Sequence, residues 1–494
     1  MPTILALDQG TTGSTALVIA SDGRVIGRGY REIPQFFPAP GLVEHDPESL
    51  IQATVAAARE ALAIAGRAVD AIGITNQRET LVLWDRETLA PLGRAIVWQD
   101  RRTADRCAAL RAAGHEPHLR ALTGLLLDPY FSATKLEWLL SDPDTRKRAE
   151  AGSLAVGTVD SWLVARLTGG VHITDPTNAS RTLLAALGTG TWDSNLLALF
   201  GVPACVLPAV VPSAGVVGVS KAHWFGVEIP IAGIAGDQQA ALFGQGCVTP
   251  GAAKITYGTG AFLLRYTGAD VPPIPAEGIL ATIAVGADGG LAWALEGSVF
   301  IAGAAVQWLR DGLGLISHAS ETAALAASVP DNGGVVMVPA FTGLGAPYWN
   351  ADARGTMTGL TRGTTRAHLV RATLEAIAHG TCDLVEAMGG VTTLRVDGGA
   401  ASNDWLMQLQ ADLLEVPVER PAGVELTAYG AAQLAAIGIG GALPPVTELG
   451  GMTVFRPRPD TAWRKARREE WHRAVGAALA WANHAQPPGF PANL

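Results

Sequence analysis

One pattern occurs twice in this chain: an apolar run, a turn of Gly and Thr, and a second apolar run. The first copy is ILALDQGTTGSTALVIA at 4–20, and the second is AKITYGTGAFLL at 253–264. The pattern predicts a β-hairpin, and small turn residues let several backbone N–H groups approach a phosphate closely. The first turn is not a Walker loop, because no Gly-Lys-Ser/Thr follows and the chain enters a strand. For either copy taken alone, an ordinary hairpin turn is the alternative.

The distance between the two copies indicates two related domains. The chain has 494 residues, more than one hydrophobic core normally serves, and its 48% hydrophobic and 16% charged residues are a globular composition. Gly and Pro cluster at 245–251, just before the second hairpin. We therefore predict one domain over 1–246 and another over 247–494.

Charge and hydropathy exclude several classes of protein. The net charge of -9 argues against a nucleic-acid or anionic-membrane surface. No run of about 18 apolar residues predicts an integral membrane segment, and the N-terminus lacks the features of a secretory signal. The cysteines have no paired spacing, which predicts buried thiols in a reducing, cytoplasmic compartment rather than metal ligands: Cys107, Cys205, Cys247 and Cys382.

Polar residues follow several predicted strands. Strands at 69–75, 81–84 and 95–98 each end in polar side chains, which indicates one sheet edge that carries chemistry. A further strand at 229–236 ends in Asp237, Gln238 and Gln239.

Helical spacing of apolar residues predicts several helices. They are 47–65, 297–309, 367–388, a helix that begins near Ser402 as N-cap, and 464–484 as a solvated outer cover.

Nine motifs, in order along almost the whole chain, carry a resemblance to a known family. They are DQGTT at 8–12, ITNQRET at 74–80, WQDRR at 98–102, YFSATKLEWLL at 130–140, DPTNASRTLL at 175–184, GIAGDQQAALFGQ at 233–245, YGTGAFLL at 257–264, GLGAPYW at 343–349 and DGGAASN at 397–403. With these motifs the chain resembles the FGGY carbohydrate kinase family, and within it the branch that phosphorylates glycerol. The resemblance implies an α/β fold of two RNase H-like, actin-like ATPase domains. Each domain would be a mixed sheet flanked by helices, with an active-site cleft between the domains.

The resemblance also implies a catalytic base and a polyol site. Asp237 would be the general base, which must orient a hydroxyl and accept its proton. A small triol offers hydroxyls and almost no apolar surface, so its binding needs charged donors and acceptors. The substrate-binding residues implied are Arg78, Glu79, Trp98, Tyr130, Asp237, Gln238 and Phe262. The alternatives are a helix N-cap for Asp237, a surface ion pair for Arg78 and Glu79, and core packing for Trp98 and Phe262.

The nucleotide site implied by the resemblance draws on both hairpins. Thr11, Thr12 and Gly13 would meet the phosphates of ATP from one domain, and Thr259 and Gly260 from the other. Asp8 would hold Mg²⁺ through water, since Mg²⁺ keeps much of its hydration shell. The adenosine side would be formed by Gly303, Gln307, Gly399 and Asn403.

The activity implied is transfer of a phosphoryl group from ATP to glycerol, with another small polyol or ketose (dihydroxyacetone, erythritol or xylulose) as the alternative substrate. A nucleotide-regulated binding or scaffold protein is the alternative from another class. Dimers and tetramers are common among such relatives, so the resemblance implies a homodimer or homotetramer. Two departures bear on regulation: Thr15 stands where many relatives have Arg, and 219–230 lacks the loop used for inhibition by fructose 1,6-bisphosphate. His223 lies in a four-residue match to a regulatory loop, and an ordinary surface histidine is the alternative.

Overall fold

The computed structural model describes residues 2–275, 278–423 and 425–483. Strands and helices alternate through most of this length. The strands are β1 Ile4–Gln9, β2 Gly13–Ile19, β3 Val25–Glu32, β4 Gln35–Phe36, β5 Glu44–His45, β6 Ala71–Asn76, β7 Leu81–Asp85, β8 Ala95–Ile96, β9 Leu154–Thr158, β10 Ile173–Thr174, β11 Ala209–Val210, β12 Ala214–Val219, β13 Pro230–Gly236, β14 Ala252–Tyr257, β15 Ala261–Gly268, β16 Leu280–Val285, β17 Leu291–Val299, β18 Val336–Val338, β19 Thr356–Thr358, β20 Thr393–Gly398, β21 Val418–Pro421 and β22 Met452–Phe455.

The helices cover and connect these strands. They are α1 Pro47–Ala65, α2 Ala104–Ala112, α3 Glu116–Thr123, α4 Ser132–Leu139, α5 Pro143–Glu150, α6 Val159–Thr168, α7 Pro176–Ala179, α8 Ser194–Leu199, α9 Ala222–Phe225, α10 Asp237–Gly244, α11 Gly303–Gln307, α12 Glu321–Ala327, α13 Arg366–Ala387, α14 Asp404–Leu414, α15 Leu426–Gly438 and α16 Thr461–Asn483.

The first sheet has the order β12-β13-β6-β1-β2-β3. β1, β2 and β3 are antiparallel neighbours, whereas β1, β6 and β13 run parallel to one another. Asp8 pairs with Thr75, and Gly236 pairs with Asn76, so the carboxyl ends of the three parallel strands lie side by side. Ligand sites of open α/β sheets form outside such ends.

The second sheet repeats this arrangement in the other half of the chain. Its order is β16-β17-β15-β14-β20-β21-β22. β14 and β15 form the second hairpin, and β14 runs parallel to β20, with Tyr257 opposite Gly398. The chain therefore has the expected architecture of two related mixed sheets, each with a hairpin of the strand–Gly/Thr turn–strand type. A smaller sheet, β4-β5-β8-β7-β9, is attached to the first half.

Helices from both halves cover the first sheet. α1 packs against β1, β2 and β3, and α15 packs against β1, β6 and β13, which places a helix of the second half on the first sheet. The contact is close, because a Cβ atom at Gly73 would lie 2.2 Å from the carbonyl oxygen of Ala431. α10 packs against α15 and against strands of both sheets, so it lies where the two halves meet.

Most of the predicted elements are confirmed, but several details are wrong. The predicted helix 297–309 begins in the last three residues of β17, and the short helix α11 and a π-helical turn, Trp308–Gly312, follow. Asn403 rather than Ser402 caps α14. The strands predicted at 69–75, 81–84 and 95–98 do not share one edge, because β6 belongs to the first sheet and β7 and β8 to the smaller one. Cys205 is exposed, whereas the other three cysteines are buried.

The last helix, α16, is not a purely solvated cover, because four of its apolar side chains are buried. They are Trp471, Ala474, Val475 and Ala478. The predicted end of this helix, residue 484, lies outside the described residues. Within the part of the chain that the structure describes, no helix combines the length and the apolar character needed to cross a membrane.

Candidate active site

Charged side chains of both halves converge where α10 begins. From the first half, the ends of β1, β6 and β13 bring Asp8, Arg78 and Asp237 to one edge of the sheet. From the second half, cross-strand pairing puts Lys254, Leu264 and Glu296 in one row across β14, β15 and β17. Residues directly opposite each other on antiparallel strands share a face, so Lys254 and Glu296 project from the same side of that sheet.

Arg78 is buried, with 3% of its surface exposed, and its principal partner comes from the other half of the chain. Its Nη1 donates to Glu296 Oε2 at 2.7 Å, and its Nη2 donates to Glu296 Oε1 at 2.9 Å. Nη1 also donates to Gln239 Oε1 at 3.2 Å. Burial raises the pKa of Glu296, but the charges of Arg181 and Arg78 outweigh it and lower that pKa to about 2. Glu296 is therefore an ionised anchor for the guanidinium.

Glu79 is buried as well, and its backbone is in the left-handed region with a φ of 63°. Its Oε1 accepts a hydrogen bond from Arg181 Nε at 2.7 Å, whereas Arg78 Nε is 3.9 Å away. Arg181 Nη2 also donates to Glu296 Oε1 at 3.1 Å. The surface ion pair considered for Arg78 and Glu79 is therefore wrong: both belong to a buried network of two arginines and two glutamates.

Asp237 is more accessible than Glu79 and Glu296, because 30% of its side chain is exposed. It is the first residue of α10, Gly236 is the N-cap, and Asp237 Oδ1 accepts the Gln238 N–H at 2.7 Å. Oδ1 lies 3.2 Å from Arg78 Nε. Burial raises the pKa of Asp237 above its ordinary value, and the charges of Arg78 and Lys254 oppose that shift. A partly exposed carboxylate beside a fixed cation suits a group that accepts a proton.

Gln238 connects Asp237 with the second half. Its Oε1 accepts a hydrogen bond from Lys254 Nζ, and the same ammonium donates to Thr256 Oγ1 at 3.1 Å. Lys254 is fully buried, and burial lowers its pKa.

Three predicted aromatic residues are half-buried. Trp98 and Tyr130 form an edge-to-face pair with ring centroids 5.4 Å apart, and Trp98 Nε1 donates to Thr11 Oγ1 at 2.9 Å. The ammonium of Lys135 donates to the carbonyl oxygens of Trp98 and Tyr130 at 3.2 and 3.4 Å, which fixes both backbones. Phe262 lies on β15, opposite Thr256 and Ser298, in the row next to Glu296.

The first predicted phosphate turn is closed by its own backbone. Gly10 N donates to Gly13 O at 2.9 Å, and Thr12 is exposed. Asp8 ends β1 beside this turn. Burial, followed by the charges of Asp237 and Glu425, raises the pKa of Asp8 to about 8. A carboxylate beside a predicted phosphate turn suits a water-mediated contact with Mg²⁺, which prefers oxygen ligands and keeps much of its hydration shell.

The second predicted phosphate turn is joined to the start of α11. Gly303 N donates to Gly258 O at 3.0 Å, and the carbonyl oxygen of Thr259 accepts from Ala302 N and Ala304 N at 2.8 and 3.0 Å. Gly260 is half-buried between these groups and has no room for a side chain, because a Cβ would lie 2.6 Å from Val299 O. The structure therefore brings Gly303 to the turn that carries Thr259.

The remaining predicted nucleotide residues lie near the same end of the second sheet. Gly399 is exposed and follows Gly398, which pairs with Tyr257 beside the second turn. Gln307 is exposed at the end of α11, about one turn from Gly303. Asn403 accepts the Leu406 N–H at 3.0 Å and donates to Thr322 Oγ1 at 3.1 Å, so its amide already has protein partners.

Sequence reasoning missed three charged residues of the site: Arg181, Lys254 and Glu296. Each had a signal, because each is a charge within an otherwise apolar or uncharged stretch. In β17 the residues LAWALEGSV contain one charge, and a lone acid in a buried strand needs a buried cation. The sequence did not show which cation pairs with Glu296, since Arg78 lies 218 residues away.

Comparisons with known proteins show which family and which solved structures the whole chain is similar to. The FGGY family of carbohydrate kinases matches with its N-terminal domain over residues 3–244 and with its C-terminal domain over 253–439. A glycerol kinase of Alkalilimnicola ehrlichii is 55% identical over 98% of this chain and 99% of its own length. A glycerol kinase of Aromatoleum aromaticum is also 55% identical, over 97% and 99%. The crystal structure of Plasmodium falciparum glycerol kinase with ADP superposes with a TM-score of 0.93 at 34% identity, covering 97% of this chain and 98% of that one.

Proposed function

We propose that this chain, which belongs to the FGGY family of carbohydrate kinases, transfers the terminal phosphoryl group of ATP to glycerol. The products are sn-glycerol 3-phosphate and ADP. The observation that supports this chemistry is the partly exposed carboxylate of Asp237, which lies 3.2 Å from a buried arginine at the junction of the two halves. The glycerol kinases that share 55% of its residues supply the identity of the acceptor.

The polyol is held by hydrogen bonds to charged groups. Arg78 donates, Glu79 and Asp237 accept, and Gln238 and the Tyr130 hydroxyl do either. Trp98 and Phe262 pack against the carbon chain. Buried partners already hold Arg78, Glu79 and Gln238, so little ordering of these three side chains is left for the moment of binding.

Asp237 is the general base. A terminal hydroxyl of glycerol donates a hydrogen bond to its carboxylate, which accepts the proton as the oxygen attacks the γ-phosphorus. The new oxygen–phosphorus bond forms while the bond to the leaving oxygen of ADP breaks. Most of the acceleration comes from holding the hydroxyl in line with the phosphate and from excluding water.

The phosphates of ATP lie between the two hairpin turns. Thr11, Thr12 and Gly13 contact them from the first half, and Thr259 and Gly260 from the second. Asp8 would hold Mg²⁺, which neutralises charge on the phosphates when bound. The adenosine side, formed by Gly303, Gln307, Gly399 and Asn403, completes the nucleotide site.

The two halves of the chain have different functions in this proposal. We assign residues 1–246 to polyol binding, the base and the first phosphate turn, and 247–494 to the second turn and the nucleoside. α15 is an exception, since it packs on the first sheet. The proposal includes a cytoplasmic location. It also includes a homodimer or homotetramer, and light scattering measures that oligomeric state.

A panel of acceptors tests the substrate. The assay measures ADP release from MgATP with glycerol, dihydroxyacetone, erythritol or xylulose, and without an acceptor. We expect the highest kcat/KM with glycerol and little ADP release without an acceptor. A higher kcat/KM with xylulose or dihydroxyacetone would favour the alternative substrate class, and acceptor-independent hydrolysis would favour a nucleotide-regulated binding protein.

A further inference from the structure

We propose that Glu296 is a positioning residue through which the second half of the molecule fixes Arg78 for the polyol. The substrate site is then complete only when the two halves are in contact. This inference rests on the proposed function and concerns how the same site is built.

The contact between Glu296 and Arg78 is bidentate and buried. Both carboxylate oxygens accept from the guanidinium, at 2.7 and 2.9 Å, and the side chains are 5% and 2% exposed. A bidentate pair fixes the plane of the guanidinium as well as its distance. Oε1 of Glu296 also accepts from Arg181 Nη2 at 3.1 Å, and Arg181 in turn holds Glu79. One carboxylate of β17 therefore connects to two residues of the proposed polyol site.

Two N–H donors of Arg78 are not used by Glu296 or Gln239. A guanidinium has five N–H groups. The two on Nη1 of Arg78 go to Glu296 and Gln239, and one on Nη2 goes to Glu296. The second Nη2–H and the Nε–H are left, and Nε faces Asp237 Oδ1 at 3.2 Å. Glu296 thus turns the open donors of Arg78 toward the base, where a bound hydroxyl has to lie.

Without the charge on Glu296, Arg78 has other acidic neighbours. Asp237 Oδ1 and Glu79 Oε1 lie 3.2 and 3.9 Å from its Nε. The guanidinium would move toward them and occupy acceptors that the substrate needs. The effect expected is therefore on polyol binding and not only on folding.

Glu296 also lies close in sequence to the nucleotide side. β17 ends at Val299, and the segment that follows donates Ala302 N–H and Gly303 N–H to the carbonyl oxygens of Thr259 and Gly258. The strand that holds the substrate arginine therefore leads into the segment that hydrogen-bonds to the second phosphate turn.

The test compares Glu296→Gln, which keeps the shape but removes the charge, with Trp293→Phe as a matched control. Trp293 is on the same strand and also bonds to the first half, with Nε1 donating to Leu187 O at 2.9 Å. We expect Glu296→Gln to raise the glycerol KM and the calorimetric glycerol Kd by about 100-fold, with the KM for ATP changed less than about threefold. Trp293→Phe should change the glycerol KM by less than about threefold.

Glu296→Asp is a second variant in case the glutamine variant does not fold. It keeps the charge but is one methylene shorter, and we expect an intermediate glycerol KM. An unchanged glycerol KM in either folded Glu296 variant, or an equal rise in Trp293→Phe, would overturn the inference. Failure of the wild-type protein to phosphorylate glycerol would instead contradict the proposed function.

Discussion

At the scale of single residues, some side chains link the proposed polyol site with the proposed phosphate site. Trp98 is such a residue. Its indole packs edge-to-face on Tyr130 in the proposed polyol site, and its Nε1–H donates to Thr11 in the first phosphate turn. A change at Trp98 is therefore expected to reach both substrates.

Trp98→Phe tests this connection. The variant keeps an aromatic ring but loses one hydrogen bond of about 1 kcal/mol, so we expect kcat/KM to fall about fivefold for ATP as well as for glycerol. Steady-state kinetics with each substrate varied measures the effect. A fall for glycerol alone would mean that the bond to Thr11 does not position the phosphate turn.

The roles of Asp237, Arg78 and Glu79 were implied by the resemblance to a family and stay predictions. The buried partners of Arg78 and Glu79 were not predicted. Their fixed orientation depends on Arg181 and Glu296, which are 102 and 218 residues away from the side chains they hold. Such pairings are set by how two sheets face each other, and no local pattern records that.

At the scale of elements, the helix that carries the base is fixed by a close crossing. α10 and α15 meet where a Cβ atom at Gly430 would lie 1.9 Å from the carbonyl oxygen of Ala240. A glycine is required because backbone, not a flexible side chain, occupies that space. The position of Asp237 therefore depends on a residue that lies far from it in sequence.

Gly430→Ala should push the two helices apart. We expect it to lower the free energy of unfolding by about 3 kcal/mol, and to lower kcat because α10 moves. Gly476→Ala is the control, because Gly476 is an exposed residue of α16 and a Cβ there would have no neighbour within 4 Å. Helix propensity should raise the stability of this variant by up to about 1 kcal/mol. Thermal unfolding and steady-state kinetics are measured for both variants. Wild-type stability and wild-type kcat in Gly430→Ala would contradict the close contact between α10 and α15.

The packing of α16 on α13 predicts a dependence of stability on pH. His379 is buried, stacks on Trp471 with ring centroids 5.3 Å apart, and accepts from Arg468 Nη1 at 3.3 Å when Nδ1 is unprotonated. Burial, aided by the charge of Arg468, lowers the pKa of His379 to about 3. The unfolded imidazole binds a proton below about pH 6.5, so stability contributed by the neutral ring is present above that pH and is lost as the pH falls.

His379→Gln should therefore weaken the pH dependence. Below about pH 6.5 the wild-type protein should lose about 1.4 kcal/mol per pH unit through this group, and the variant should lose less. Scanning calorimetry at about pH 7 and about pH 5.5 compares the two shifts in Tm. Equal shifts would mean that His379 does not stay neutral in the folded protein.

At the scale of the whole molecule, the repeated hairpin predicted the architecture. Two apolar runs around a Gly/Thr turn indicated two related sheets, and the structure has them. The pattern did not predict that α15 packs on the first sheet, although in sequence α15 lies between β21 and β22 of the second sheet. The predicted helix 297–309 is wrong at its start, because residues 297–299 end β17, whereas 303–309 are helical. The periodicity of a short apolar run does not distinguish the end of a strand from the start of a helix.

Asp237 lies where the two halves meet, and the proposed phosphoryl transfer depends on that carboxylate. The most direct test measures glycerol-dependent ADP release by Asp237→Asn, with Asp22→Asn as control, since Asp22 lies on an exposed turn and pairs with Arg24. We predict that Asp237→Asn lowers kcat about 1000-fold while calorimetry still detects glycerol binding, and that Asp22→Asn keeps wild-type turnover. Near-wild-type turnover of glycerol by Asp237→Asn would contradict the account.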